Sequence, residues 1–456
     1  MTQQKSTQAT GMAFMGMIFF IFGFVTTFNV TLADKFKAVF ELSNWQAQLV
    51  NGAFFFTYFL LSFGIGGIIK RIGYKGGVIL GLFLVALGSF LFFPAAKALS
   101  FPFFLIAIFI MASGVVFLQV AANPYVTALG PSETASGRLN LTQALNSIAT
   151  TIAPVIASLF VFKEMAGSAL ETVLTDEQKK QAAYEAAQSV PVPFIVIGVL
   201  VVLIAIVIYL LKLPHIPTAG VHRKSIWKYP HVVLGSVGIF FYVGAEVGSA
   251  ALIQRYLQVA ADFSKTDAAK MIALYWGGAM IGRLYGSFML SAVDKSKKML
   301  YTVLILALAF VVGWYVSDKA IDGLIFSGIA LLNYLAMQLG RGKANQTLAV
   351  FALIAAMLAV ATMTVPGNLI LWVGCSIGFF NSIMFPNIFA LSVEGLDKGE
   401  LSMASGLINT LIVGGAVIPV LMGLVADTMG ITYSFILPVI CYAYIVFFAL
   451  VGCKHK

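Results

Sequence analysis

Charge is what this chain is short of. Only 10% of its 456 residues are Asp, Glu, Lys or Arg, against about 25% in a soluble globular protein. That deficit excludes a water-facing surface of ordinary extent. Cysteine is scarce as well. Cys375, Cys441 and Cys453 fall in or at the ends of late apolar segments and form no CxxC pair, which excludes a disulfide framework and a zinc site. A metal-ligand cluster, a nucleophile motif and a phosphate loop are all missing, and no large soluble output domain is present, so neither an enzyme nor a membrane sensor is expected. A cleavable signal peptide is not evident either. The first apolar run, 11–32, is too long for a typical signal h-region and lacks a clear cleavage site after it.

What the chain has instead is apolar sequence. It is 60% hydrophobic with a mean hydropathy of +0.96, and runs of about 20 apolar residues, enough to span a bilayer, recur along it. They fall at 11–32, 47–69, 76–96, 103–129, 139–162 and 193–211, then at 233–254, 268–290, 299–317, 323–338, 346–364, 369–392, 402–425 and 431–452. The expected fold is an all-α polytopic membrane protein of about fourteen transmembrane helices.

An N-terminus placed inside makes this count testable against charge. The segments then facing the cytoplasm hold 17 of the 28 basic residues and 5 acids, whereas the outer segments hold 10 basic and 12 acidic residues. The inner side is basic, as the positive-inside rule requires. The net charge of +10 is therefore explained by the bilayer as partner, with no nucleic acid and with both termini cytoplasmic.

Two loops punctuate the series. Residues 163–192 form a long polar outer segment in which DEQKKQAAYEAAQ has the composition of a surface helix. Residues 213–232 are rich in Pro, His and Lys and read as a cytoplasmic linker between an N-terminal six-helix bundle, 1–212, and a C-terminal bundle, 233–456. The halves are weakly similar. NPYVTAL begins at Asn123 and FPNIFAL at Phe385; each follows a glycine-containing apolar run, and the next helix of each half carries a proline, Pro154 or Pro419. Parallel repeats of six helices mark the major facilitator fold.

The most informative stretch is 118–147, LQVAANPYVTALGPSETASGRLNLTQALNS. It reads as two membrane helices joined by the polar turn GPSETASGR. Gln119, Asn123 and Thr127 interrupt the first, and Asn140, Gln143 and Asn146 recur every three residues in the second. A carboxamide in hydrocarbon needs partners, because leaving it unpaired costs several kcal/mol, roughly. Many neutral groups that both donate and accept hydrogen bonds suit a sugar or polyol.

LQVAANPYVTALGP, SGRLNLTQALNS, FYVGAEVGSA, GRLYGS and FNSIMFPNIFAL together resemble the fucose–galactose–glucose:proton symporter family of the major facilitator superfamily. The likeness runs from FFIFGFVTTFN to VIPVLMGLVAD, nearly the whole chain. It implies sugar uptake across an inner membrane by alternating access, usually driven by an ion gradient. The departures narrow it. Where the family's fucose carriers have an acid late in the first helix, this chain has Val30. Where they have a glutamate before AANP, it has Gln119. The glutamine, with Glu246 in the seventh helix, resembles the glucose and galactose branch. NQTLAVFALIAAMLAV resembles the family's ninth helix, so the two spans within about 297–340 read as an inserted helical hairpin, which leaves the topology after it unchanged.

Glu246 is the one acid placed deep in the membrane. Such groups are costly and usually functional, and burial favours the neutral carboxyl, so Glu246 is the candidate for coupling; an Arg-paired structural role is the plain alternative. The resemblance puts sugar contacts at Gln119, Gln143 and Asn146, against an alternative of interhelical hydrogen bonds worth about 0.6 kcal/mol each. Asn123 precedes Pro124, so capping a kink competes with substrate binding there. Asn381 is a further sugar candidate beside Pro386. Asn140 is expected near the cytoplasmic end in a structural role. Asn409, Thr26, Thr27 and Asn29 are polar positions in the spans, and Phe54, Tyr58, Tyr242, Tyr275 and Trp276 are aromatics able to stack on a sugar face. Lys70, Arg71 and Lys75 resemble a degenerate gating loop with Gly67 and Gly73, or act as orientation signals alone; Arg283 is the matching feature of the second half. The expected function is cation-coupled uptake of a hexose such as glucose or galactose by a monomer in the inner membrane, with H⁺ or Na⁺ co-transported and no cofactor. The alternatives are a sugar facilitator and a drug exporter, the latter disfavoured by the density of carboxamides.

Overall fold

A backbone in hydrocarbon must satisfy its own hydrogen bonds, which leaves an apolar chain the choice of helix or closed barrel. The computed structural model describes residues 2–30, 36, 39–42, 46, 49–161, 181, 184, 188, 190–211, 214, 216–218, 225–260, 263–365 and 367–454. Among them the regular structure is all helical. Eleven helical stretches of the described residues are long and apolar enough to cross a membrane, and this is a multi-pass membrane protein. The side chains of Val30 and Pro154, most of 163–192 and most of 212–224 lie outside the described residues.

The first bundle contains α1 (Thr2–Val30), α2 (Leu49–Lys97), α3 (Phe101–Ala128), α4 (Ala135–Val161) and α5 (Pro191–Leu210). The 49 residues of α2 are more than twice what one crossing needs. Gly73, at φ 77° and ψ 166°, is the non-helical point inside it, a conformation glycine adopts without the Cβ penalty. The expected segments 47–69 and 76–96 are thus the two arms of one element. Ser100 caps α3, its Oγ accepting from the Phe103 N–H, with Pro102 in the first turn, the position where a missing N–H is harmless. α1 packs on α4, and α2 packs on α3 and α5.

The second bundle contains α6 (Pro230–Ala260), α7 (Lys265–Met289), α8 (Lys295–Ser317), α9 (Ala320–Leu339), α10 (Ala344–Thr362), α11 (Gly367–Asn381), α12 (Met384–Val393), α13 (Leu401–Thr410), α14 (Gly414–Met429) and α15 (Ile436–Phe447). Two apolar runs expected to be continuous are broken. The run 369–392 parts into α11 and α12 at Ser382–Ile383, and the run 402–425 passes through a 3₁₀ turn, Leu411–Val413. Pro386 explains the first break, because it has no N–H for the carbonyl of Ser382.

α8 and α9 form the hairpin and pack mainly on each other and on α7. Only 22% and 33% of their apolar windows are buried, which places them at the rim of the bundle.

The bundles meet where α4 crosses α7 and α2 crosses α13. At the second crossing Gly66 faces Gly406. A Cβ on Gly66 would lie 2.6 Å from the Ser402 carbonyl oxygen, and one on Gly406 2.8 Å from that of Ser62. Small residues permit this approach of two backbones in a membrane. Asn140 on α4 donates to the Asn387 Oδ1 on α12 at 3.3 Å. These closures lie toward the ends of the helices that carry Lys70, Arg71 and Arg138.

Candidate functional site

A cavity of about 180 Å³ lies between the two bundles. Each bundle supplies a different chemistry. The first contributes carboxamides and hydroxyls, Gln119, Gln143, Asn146, Thr26 and Thr150; the second contributes Glu246 and Arg283. Phe22, Phe54, Tyr58, Tyr242 and Phe385 form apolar walls between them.

On the amide wall, helical spacing sets the geometry. Gln143 and Asn146, three apart on α4, project on one face. Gln143 is buried and lines the cavity, and its side chain makes no hydrogen bond within the described residues. Asn146 is half-buried, and its Nδ2 donates to the Phe19 carbonyl at 3.0 Å, tying α4 to α1. Gln119, from α3, accepts at Oε1 from the Tyr58 hydroxyl at 2.6 Å. That bond occupies its carbonyl and turns its NH₂ donors toward other partners.

On the charged wall Arg283 is the hub. Its Nη2 lies 3.4 Å from the Glu246 Oε1, its Nη1 donates to the Ser147 Oγ at 2.6 Å, and its Nε donates to the Ser382 carbonyl at 3.1 Å. The last contact occupies the carbonyl that Pro386 leaves without its helical donor. The bond to Ser147 crosses from one bundle to the other. Glu246 and Arg283 are both buried and are the only charged residues among those lining the cavity. With both ionised, the two charges compensate one another across 3.4 Å.

Other expected site residues lie elsewhere. Asn381 is one layer behind the cavity: its Nδ2 donates to the Tyr275 hydroxyl at 2.7 Å, and that hydroxyl donates to the Glu246 carbonyl at 2.9 Å. Asn123 is fully buried outside the lining, and among the described residues neither of its amide atoms has a hydrogen-bond partner. Lys70 is half-buried and Arg71 exposed at the basic end. Lys75 donates to the carbonyls of Tyr209 and Leu211 at 2.9 and 2.8 Å, capping α5. Arg283, expected as a counterpart of that loop, stands in the cavity wall instead. Trp276 is exposed, while Phe54, Tyr58 and Tyr242 line the cavity. Sequence reasoning did not reach Ser147, Thr150, Phe22 or Phe385. Phe385 follows from the break, since a residue beside Pro386 is turned by it; the others carry no distinguishing signal among 39 phenylalanines and many hydroxyls.

The family model described as Major Facilitator Superfamily matches residues 12–340. A glucose/galactose transporter of Brucella abortus is 37% identical, over 99% of this chain and 97% of its own length. An L-fucose-proton symporter of Escherichia coli is 29% identical, over 96% of this chain and 92% of its own length. A crystal structure of the E. coli fucose:proton symporter superposes with a TM-score of 0.77 at 26% identity, covering 99% of this chain and 100% of that one.

Proposed function

Since this chain belongs to the major facilitator superfamily and, within it, to the fucose–galactose–glucose:proton symporter family, and is a transporter rather than an enzyme, we propose that it carries a hexose of the glucose or galactose type by alternating access, coupled to a cation. The observation that carries this reading is the pairing of an amide wall with a charge-compensated wall in one cavity. A sugar is neutral and studded with hydroxyls, each needing a donor or an acceptor; amides provide both. Aromatic faces between the walls suit the apolar C–H faces of a sugar ring. The cavity, about 180 Å³, has room for a small polar ligand, in keeping with a monosaccharide. The amide wall disfavours the drug-exporter reading, and the cavity is complete within one chain, as a monomer requires.

The topology belongs to the same reading. With Gly73 separating two crossings in α2, and with the more polar α4 and α7 each crossing once, the chain has fourteen spans and both termini in the cytoplasm. Bundles 1–212 and 233–456 flank the linker 213–232, and the hairpin near 297–340 is an addition to the second. The basic end then faces the cytoplasm, so the closures at Gly66–Gly406 and Asn140–Asn387 make this the state closed to the inside. In transport they part while the opposite ends of the bundles approach.

Glu246 is the coupling group. Binding of H⁺ or Na⁺ to its carboxylate weakens its hold on Arg283, and Arg283 is bonded to Ser147 across the bundle interface. The charge state of Glu246 is thereby linked to a contact that the two cavity states do not share. Uptake of radiolabelled glucose and galactose into proteoliposomes, with H⁺ and Na⁺ gradients imposed separately, tests the proposal. Accumulation above equilibrium with one gradient is expected. Equilibration without accumulation under either would leave a facilitator, and no uptake of either sugar would overturn the substrate class.

A further inference from the structure

The hairpin α8–α9 is mostly apolar and turned outward, as a lipid-facing addition should be; Leu304 and Leu332 are typical of its exposed side. One residue breaks that pattern. Asn333 is completely buried, in the stripe Gly323, Phe326, Ala330, Asn333, Ala336 and Met337 along one side of α9. The spacing of three and four residues puts these side chains on one face, so the hairpin has a docking face, and of its two carboxamides, Asn333 and the exposed Gln338, only Asn333 is in it.

What Asn333 touches is unusual. Its Nδ2 donates to the Phe379 carbonyl at 3.0 Å, and Phe326, two turns earlier on the same face, packs on the Phe379 ring with centroids 4.8 Å apart. Phe379 lies in the last turn of α11, just before the break that parts it from α12. The Ser382 hydroxyl also donates to that carbonyl, at 2.6 Å. From the cavity side, Arg283 donates to the Ser382 carbonyl. The break is therefore held from two directions, by Arg283 within the cavity and by Asn333 from the outer rim. Between the two held carbonyls stands Asn381, bonded through the Tyr275 hydroxyl to the backbone of Glu246.

We propose that Asn333 is a positioning residue, through which the added hairpin fixes the α11–α12 break and with it the placement of Arg283 and Glu246 in the cavity. The hairpin is then part of the transport machinery rather than lipid-facing ballast. This rests on the sugar-site reading for its affinity readout, but not for its structural one. A broken membrane helix needs its freed backbone groups satisfied by neighbours, and a break held on one side only is free to shift toward or away from the cavity. Among the described residues the Oδ1 of Asn333 has no hydrogen-bond partner, and the residue serves as a donor to Phe379.

The test uses the full chain. Asn333→Leu keeps the branching and the number of heavy atoms and removes the donor. Hydrogen exchange at the backbone amides of 379–386 is expected to accelerate with and without sugar. Hexose affinity should weaken about fivefold, in line with loss of one buried hydrogen bond at the site, and the pH profile of binding should shift, because Arg283 no longer sits at a fixed distance from Glu246. Asn333→Gln, which keeps an amide donor, should restore much of the affinity; Asn333→Ala serves where the leucine variant does not insert. If Asn333 is only interhelical glue, the melting temperature falls while affinity, pH profile and exchange at 379–386 stay as in the parent, and the proposal is overturned. If the parent itself binds no hexose, the sugar reading fails, and exchange at 379–386 still decides the role of Asn333.

Discussion

Gln143 and Asn146 share a helix face and a cavity, yet their surroundings separate them. The Gln143 side chain lines the cavity and makes no hydrogen bond within the described residues, so on the proposed reading its amide is open to the sugar. Asn146 spends its Nδ2 on the Phe19 carbonyl and, on the proposed reading, offers its Oδ1 to the sugar. Loss of one buried hydrogen bond costs about 0.5–1.5 kcal/mol, more where a partner is stranded. Gln143→Ala is therefore expected to weaken hexose binding about tenfold, roughly the upper end of that range, with an unchanged melting temperature. Asn146→Ala should weaken binding by a similar factor and also lower the melting temperature, because it removes the tie between α1 and α4. Isothermal titration and thermal melts of the purified variants separate the two; equal melting temperatures would remove the structural role assigned to Asn146. The amide spacing of 118–147 made these two residues legible in the sequence, because hydrocarbon makes every carboxamide conspicuous. It did not show that Asn123 and Asn381 stand off the cavity. That difference depends on which way each helix is rotated, and packing decides it rather than spacing.

Helices are legible as elements where the apolar run is the whole signal and less so where one residue redirects it. The runs 369–392 and 402–425 are each two helices, because Pro386 deprives Ser382 of a donor and because Leu411–Val413 tighten into a 3₁₀ turn beside the cavity. Neither break alters composition, so hydropathy alone passes over both. Discontinuous helices near the middle of the membrane are where transporters of this kind build their sites, and here both line or abut the cavity, at Phe385 and Ile412. The hairpin was legible by length and by its likeness boundaries, and its topology is checkable. Single cysteines at the exposed Asp318 and Lys343 should label from opposite faces of the membrane, since one crossing, α9, lies between them; labelling of both from outside would remove the hairpin from the membrane. The native Cys375, Cys441 and Cys453 are buried and contribute little background. The crossing of α2 and α13 makes a second expectation. With only 2.6 Å between a Cβ on Gly66 and the Ser402 carbonyl oxygen, Gly66→Leu leaves no space for the backbones to meet. A cysteine at Ser402, buried in the parent, should then react with maleimide many times faster in the Gly66→Leu background. An unchanged rate would show that this crossing does not close the inner end.

A whole carrier needs two states of the cavity and something that favours one of them when the ion is bound. A ligand shifts such an equilibrium only by its differential affinity for the two states. In this molecule the differential contact is at hand. Arg283 reaches from the second bundle to Ser147 in the first, and Glu246 competes for the same guanidinium at 3.4 Å. On the proposed coupling, a charged Glu246 shares Arg283 with Ser147, and a neutral or ion-bound Glu246 changes that share and with it the contact between bundles. Where the resemblance implies acids in the family's fucose carriers, this chain has Val30 and Gln119, so the proposed coupling rests on Glu246. Glu246→Gln keeps the shape and hydrogen-bonding capacity of the side chain while fixing it as neutral. Sugar binding and exchange at equal concentrations across the membrane are expected to persist, because neither needs the ion to come off. Accumulation against a gradient is expected to fall to the level of passive equilibration. Counterflow and gradient-driven uptake, measured on the same proteoliposomes, separate these outcomes. Undiminished accumulation by Glu246→Gln would place coupling elsewhere in the chain. A parent that never accumulates sugar under either gradient would make this a facilitator, in which the Glu246–Arg283 pair serves only to hold the cavity wall in place.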